Sequence, residues 1–401
     1  APGAGGPRRA GGRGGGGGAV PVAGGIVLCT RGMDQIKDID VREQLAVVGP
    51  GVVLGDLHAE VEKLGLFYPP DANSLAACTL GGNAATNAGG PRAFKYGVTR
   101  NYVLGLEAML MGGQSFFAGR RTTKGVTGYD VTSLIVGSEG TLALIGDITL
   151  RLIPKPPKVM TLLALFKDVF VSGACVEKII AAGVIPRCIE LMDATTLQAI
   201  RDAGNPIHSD AHAMLLMDLD GDETSVERDA SRISDICDEI GVVELLAAQD
   251  ASQRDRLWAA RREMSPAVRR MSKFKLSEDV VVPRRQIGEL LRRVSSTTER
   301  LNVRSLTYGH AGDGNLHVNY LWNDESELPL VSQAIEQLFR DVVELRGTLS
   351  GEHGIGVLKA PYLHFEQNAD LIGLQKSLKQ VFDPKGLLNP GKIFSDGHTV
   401  C

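Results

Sequence analysis

The chain has 401 residues, with 43 basic and 47 acidic side chains and a formal net charge of −4. One hydrophobic core does not comfortably hold that length, so two domains are expected. The near-balanced charge gives no electrostatic case for nucleic acid or an anionic membrane. No apolar run approaches the ~20 residues that span a bilayer, and no charged-then-apolar leader opens the sequence. A soluble, cytoplasmic protein is the expectation. The six cysteines are scattered without a C-x-x-C pair, which excludes a conventional iron–sulfur or zinc-thiolate site and favours a reducing compartment.

In chain order, the first eighteen residues, APGAGGPRRAGGRGGGGG, read as a flexible low-complexity tail. AVPVAGGIVL and QLAVVGPGVVL are short β-rich runs broken by glycine, HAEVEKLGL has helix spacing, and PPDANS is a turn. Residues 134–152, LIVGSEGTLALIGDITLRL, predict strands around a glycine turn. KPPK at 155–158 marks the expected domain boundary. Beyond it, helices are predicted over residues 170–183, 225–241 and 333–347, the second ended by glycine at its C-cap. AHAMLLMDLDG at 211–221 predicts a strand. Residues 256–271 have helical spacing and carry a basic face, and residues 381–394 are turn-rich. The class is α+β, with many short strands first and then a sheet carrying helices.

Three clusters suggest chemistry. TLGGNAATNAGG (79–90) and GSEGTL (137–142) are small-residue strings whose N–H groups could line an anion-binding nest for a diphosphate. Neither has the G-x-G-x-x-G pattern between strand and helix, so a Rossmann site is not supported. In YGHAGDGNLHVN (308–319), strand alternation puts His317 and Asn319 on one face, and the GDGN turn can return His310 beside them. A lone histidine is more often a packing or surface residue, whereas two converging on one turn fit a metal pair. In SGEHGIG (350–356) the glycines permit a loop from which adjacent Glu352 and His353 reach one site. His310, His317 and Glu352 then form a two-histidine, one-carboxylate set for a divalent metal, with His353 beside it as a general base. The bland reading of SGEHG is an exposed turn or helix start.

With these motifs assembled, the sequence resembles the FAD-dependent D-2-hydroxyacid dehydrogenases. That group includes D-lactate dehydrogenase, the flavin subunit of glycolate oxidase and D-2-hydroxyglutarate dehydrogenase, all of the vanillyl-alcohol-oxidase (PCMH) type. PPDANSLAACTLGGNAATNAGG, KYGVTRNYVLGLE, TGYDVTSLIVGSEGTL, YGHAGDGNLHVN, LSGEHGIG and LLNPGKIF carry the resemblance over nearly the whole chain. It implies an FAD domain over residues 1–154 and a cap or substrate domain with an antiparallel sheet over 155–394, of which 381–394 returns to the flavin domain. By the same resemblance FAD is non-covalent and contacted by Arg9, Gly11, Gly12, Gly14, Gly17, Gly18 and Ala19. Pro70, Asp71, Thr79, Gly81, Gly82, Asn83, Asn87, Gly137, Ser138, Glu139, Gly140 and Asn389 complete that set. His310, His317 and Glu352 are then ligands of a divalent ion (Zn2+, or Mn2+ or Fe2+), and His353 is the base. Arg261 in LWAARRE matches a carboxylate-binding arginine, Lys275 matches more loosely, and Asn319 falls at a substrate-contacting position.

Residues 9–19 read RAGGRGGGGGA where the family loop resembles RGAGTGLSGGA, so Arg13 and Gly16 stand where hydroxyl residues are usual. Residues preceding that loop in the family are also absent, and the flavin domain is expected to be truncated or altered at its start. The implied activity is oxidation of a lactate- or glycolate-like D-2-hydroxyacid to the 2-oxoacid. Electrons pass to a quinone, a cytochrome, an electron-transfer flavoprotein or a companion subunit, which can bring the protein to a membrane periphery. A homodimer is left open. The alternatives are a D-2-hydroxyglutarate dehydrogenase, a non-catalytic paralogue or assembly subunit, and a metallohydrolase using the same histidines.

Overall fold

A computed structural model describes residues 16–22, 24–204, 207–248 and 250–394. They form two compact units. The first holds the described residues through Gly90, Gly97–Lys155 and the chain from Glu352 onward; the second holds Pro91–Tyr96 and Pro156–Gly351.

The first unit is built on an antiparallel sheet of β1 (Ile36–Asp40), β2 (Leu45–Val48), β3 (Val103–Met109), β4 (Ser115–Gly119) and β5 (Leu144–Arg151), in the order β1-β2-β5-β3-β4. Helix α1 (Leu54–Lys63) buries Leu54, Leu57 and Val61 at i, i+3 and i+7, the spacing of one helical face. Two sequence expectations change here. The LIVG portion of residues 134–152 is not a strand. Asp130 caps a short helix, α2 (Val131–Ile135), by accepting the Ser133 N–H at 3.0 Å, and only Leu144 onward enters the sheet. Nor do the described residues of 19–28 form a strand, because Gly24 and Gly25 adopt φ of +70° and +96°, outside any β conformation.

The second unit is a seven-stranded antiparallel sheet of β6 (Lys158–Phe166), β7 (Cys188–Met192), β8 (Ala213–Gly221), β9 (Glu244–Ala247), β10 (Phe274–Val281), β11 (Arg304–His310) and β12 (Asn315–Trp322). Its order is β9-β6-β8-β7-β11-β12-β10. Helices cover both faces, so β7, β8 and β12 are buried almost throughout rather than alternating. On one face, α3 (Ala194–Asp202) and α4 (Ala251–Arg270) pack Leu197, Ile200, Met264 and Val268 against Met192, Met214, Leu306 and Leu321. His310 and His317 lie on this same face, beyond the apolar cluster.

Candidate active site

Where the apolar face of the second sheet ends, charge begins. His310 closes β11 and is paired in register with Glu190 of β7. The Glu190 side chain is fully buried. Its Oε2 accepts from Arg261 Nε at 2.7 Å, and its Oε1 is hydrogen-bonded to His310 Nδ1. Burial alone would raise this carboxyl, but the charges of His310 and Arg261 bring it down to about 2. With Nδ1 engaged by a carboxylate, Nε2 is the nitrogen that His310 offers to a ligand. The His317 ring stands edge-on to it, centroids 5.4 Å apart, and His317 Nδ1 lies 3.9 Å from Asp279 Oδ1 on β10. Two buried imidazoles, each with a carboxylate near its Nδ1, fit a divalent metal of intermediate softness.

Arg261 reaches the same place from α4. It is 8% exposed, its Nη2 is buried with no hydrogen-bond partner among the described residues, and its guanidinium lies 5.6 Å from the Tyr308 ring centroid. A buried donor left in this state costs free energy unless an anion or water takes it. Lys275 approaches the same phenol, its Nζ donating to Tyr308 Oη at 3.5 Å, and Tyr308 donates to Asn319 Oδ1 at 3.5 Å. Asn319 is fixed in turn by its Nδ2 bond to the His317 carbonyl, 2.9 Å. Burial, helped by the charge of Arg269, lowers the Lys275 ammonium to about 8. The structure therefore brings Arg261, Lys275, Asn319, His310 and His317 together in the second unit.

In the first unit, TLGGN is not a loop. It begins helix Leu80–Thr86, whose N-cap Thr79 accepts the Gly82 N–H at 3.4 Å. Gly81 is required by packing, since a Cβ there would meet Pro50 Cβ at 2.6 Å. Several expected flavin contacts are braces as well. Asn87 Oδ1 accepts the Arg100 N–H at 2.9 Å, Asn389 Nδ2 donates to the carbonyls of Gly18 (2.9 Å) and Glu139 (2.6 Å), and the Pro70 carbonyl is bonded to buried His58 at 3.0 Å. Asp71 is partly buried, with its carbonyl set against Gly90, and Asn83 is buried. The buried Oγ of Ser138 has no partner among the described residues, and at Gly140 a Cβ would meet nothing within 4 Å. Beside them lie Gly137, which abuts Asn87, and the turn Gly17–Gly18–Ala19. This orphan hydroxyl and glycine wall fit a flavin nucleotide. Arg9, Gly11, Gly12 and Gly14 lie outside the described residues. Gly16, which stands in place of a hydroxyl residue, is required by a close approach: its carbonyl accepts Val357 N–H at 2.9 Å, and a Cβ would meet the Gly354 carbonyl at 2.5 Å.

The SGEHGIG segment is held at both ends by buried carboxylates. Upstream, within the second unit, Asp279 Oδ2 accepts Ser350 Oγ–H and Gly351 N–H, each at 2.9 Å, while Oδ1 accepts from Asn315 Nδ2 at 2.6 Å. Downstream, within the first, Glu139 accepts the N–H groups of Ile355 (2.7 Å) and Gly356 (2.9 Å). Burial raises the Glu139 carboxyl above its ordinary range, against the lowering effect of those two donors. Glu352 and His353 sit between the anchors, with Glu352 against Gly89 in the first unit. Sequence reasoning missed Glu190, Asp279 and Tyr308. The available signal for Glu190 was a lone acid inside CIELM, a strand that is otherwise apolar: a buried acid there requires a partner.

Comparison with known proteins agrees with this layout. Residues 155–393 match the family of FAD linked oxidases, C-terminal domain, and residues 8–117 match an FAD binding domain. Glycolate oxidase subunit GlcD of Bacillus subtilis (strain 168) is 41% identical over 378 residues, covering 94% of this chain and 80% of that protein. D-lactate dehydrogenase of Anaerostipes hadrus is 34% identical over 386 residues, covering 94% and 81%. Among solved structures, 4-ethylphenol oxidase from Gulosibacter chungangensis superposes with a TM-score of 0.77 at 18% identity (97% of this chain, 84% of that one). p-Cresol methylhydroxylase does so with a TM-score of 0.75 at 14% identity (92% and 80%). These structures establish the vanillyl-alcohol-oxidase (PCMH) type of fold, and the sequence matches establish the family. The chain belongs to the FAD-linked oxidases and is an FAD-binding oxidoreductase.

Proposed function

We infer that this protein oxidises a D-2-hydroxyacid, lactate- or glycolate-like, to the corresponding 2-oxoacid. The observation that carries the reading is the buried Arg261, its Nη2 without a partner and its Nε tied through Glu190 to His310. Such an arginine suits a small carboxylate held bidentately. The relatives named for glycolate and D-lactate support it.

Arg261 holds the substrate carboxylate, with Lys275 as a second cation and Asn319 orienting the substrate's oxygen. His310, His317 and Glu352 are the proposed metal ligands; Glu352 follows directly on Gly351, whose N–H is bound to Asp279. A divalent ion held there, Zn2+ by its donor set or else Mn2+ or Fe2+, would supply Lewis acidity toward the 2-hydroxyl. His353 takes up the hydroxyl proton. FAD, held without a covalent link, would supply a hydride acceptor for the C2–H.

The electrons then pass to a quinone, a cytochrome, an electron-transfer flavoprotein or a companion subunit. The Bacillus relative is named as a subunit, which favours the last. No helix among the described residues is long and apolar enough to cross a membrane. A cytoplasmic location, at a membrane periphery where the acceptor requires it, is the proposal. A dicarboxylate such as D-2-hydroxyglutarate is the second reading, favoured by Arg261 and Lys275 flanking the one Tyr308 ring at 5.6 and 5.8 Å.

The test is anaerobic mixing of the purified, flavin-loaded protein with a panel of D-2-hydroxyacids, including D-2-hydroxyglutarate, followed at the flavin band near roughly 450 nm. Bleaching by one class names the substrate; no bleaching by any member refutes the reading. His353→Ala should slow bleaching by about 10²-fold or more with the flavin retained.

A further inference from the structure

We propose that Glu190 is a positioning residue that sets the spacing between the carboxylate-binding arginine and the first histidine, and thereby confines the enzyme to acids whose hydroxyl is on the carbon next to the carboxylate. This rests on the function proposed above and names what selects its substrate class.

One carboxylate serves two different groups. Oε2 takes Arg261 Nε and Oε1 takes His310 Nδ1, so the guanidinium and the imidazole are bridged through three atoms of a single side chain. The bridge is rigid. Glu190 is 0% exposed, and β7 is hydrogen-bonded to β8 on one side and β11 on the other. His310 is its register partner, so neither end can drift along the sheet. Arg261 is backed by the Tyr308 ring and has little room to swing.

What the bridge fixes is the distance between Arg261 Nη2 and His310 Nε2. A substrate carboxylate on the first and a hydroxyl on the side of the second must match that distance. Moving the hydroxyl one carbon further lengthens the span by about 1.5 Å, one C–C bond, which is more than a charge-assisted hydrogen bond tolerates. The same contact also holds His310 in the tautomer that leaves Nε2 as the ligating nitrogen.

The experiment uses the flavin-loaded protein and compares wild type with Glu190→Gln and Glu190→Asp. Glutamine keeps the shape but presents one acceptor where two donors converge; aspartate keeps the charge but is a methylene too short for both. Three readouts are taken: the Kd for D-2-hydroxybutyrate from single-turnover flavin reduction, the ratio of kcat/KM for D-2- over D-3-hydroxybutyrate, and zinc bound per flavin after dialysis against buffered Zn2+. Glu190→Gln is expected to weaken binding by about tenfold or more and to lower the 2-over-3 ratio by a similar factor. Zinc affinity should fall by about 10- to 100-fold, the usual effect of removing a carboxylate behind a ligating histidine. Should the glutamine variant lose its flavin spectrum, the aspartate variant carries the test, with the same changes expected.

Unchanged ratio and zinc content in a folded variant would overturn the role of Glu190. Wild-type flavin that no 2-hydroxyacid reduces overturns the enzyme reading instead, so the two failures are told apart by the wild-type arm. A uniform loss of kcat with the ratio and zinc content intact marks Glu190 as merely structural and also overturns the proposal.

Discussion

In the role proposed for Lys275, a single residue couples burial to activity. Its ammonium is partly buried between Tyr308 and the charge of Arg269, and it titrates near about 8 instead of 10.5. A lysine whose folded-state pKa is lowered is charged below that value and neutral above it. Substrate carboxylate binding should therefore be strongest below pH 8 and weaken above it, with KM rising as Lys275 loses its proton. Lys275→Met should flatten this alkaline limb, and Lys275→Arg should remove it up to pH 10. A KM that rises identically in wild type and Lys275→Met assigns the limb to another group. The stability sign is opposite. Between about 8 and 10.5 the unfolded chain holds the extra proton, so folding becomes more favourable as pH rises through that window.

At the scale of elements, the loop of residues 350–356 lacks regular secondary structure, so its position comes from side chains. Asp279 supplies one anchor and Glu139 the other, and the latter accepts two backbone N–H groups from a buried position. Glu139→Ala would leave both donors without their acceptor, at a cost of about 2–4 kcal/mol. Amide exchange at Ile355 and Gly356 should accelerate in this variant while the Gly351 amide, held by Asp279, keeps its protection. Equal protection at all three would show that Glu139 does not hold the loop. The sequence named both strings, GSEG and SGEHGIG, but did not pair them. Residues more than 200 positions apart carry no local pattern that reports their contact. The helices α1 and α4, by contrast, show a periodicity that lies within a few residues and were legible for that reason, whereas α2, a capped single turn, is too short to show a period.

At the scale of the molecule, the chain passes between its two units four times, and the short excursion Pro91–Tyr96 belongs to the second unit although its neighbours belong to the first. Its hold on that unit is visible in Lys95, whose Nζ lies 2.6 Å from both the carbonyl and the Oδ1 of Asp220, and in Tyr96, whose hydroxyl donates to Oδ2 at 2.8 Å. The Asp220 side chain is fully buried, and Arg187 at 3.6 Å is its other cation. Lys95→Met should destabilise the protein by about 2–3 kcal/mol, less than a wholly buried pair because Lys95 is itself 27% exposed. A thermal melt reads this as a lower Tm; an unchanged Tm would mean that the excursion is held by packing alone.

From the sequence alone came the α+β class and, through motifs that resemble the FAD-dependent D-2-hydroxyacid dehydrogenases, the expectation of flavin and hydroxyacid chemistry and of the residues proposed to bear it, because those motifs are each local. The sequence also determined that His317 and Asn319 share a strand face, since a two-residue period is a property of the backbone. What only the tertiary structure decided is how these groups are held. Glu190 is ordinary in its strand until β11 brings His310 opposite and α4 lowers Arg261 onto it. Asn87, Glu139 and Asn389, expected against the flavin, also brace the loops on which they sit. Such partnerships depend on desolvation and on contacts between distant segments. Those exist only once the sheet has placed its strands side by side.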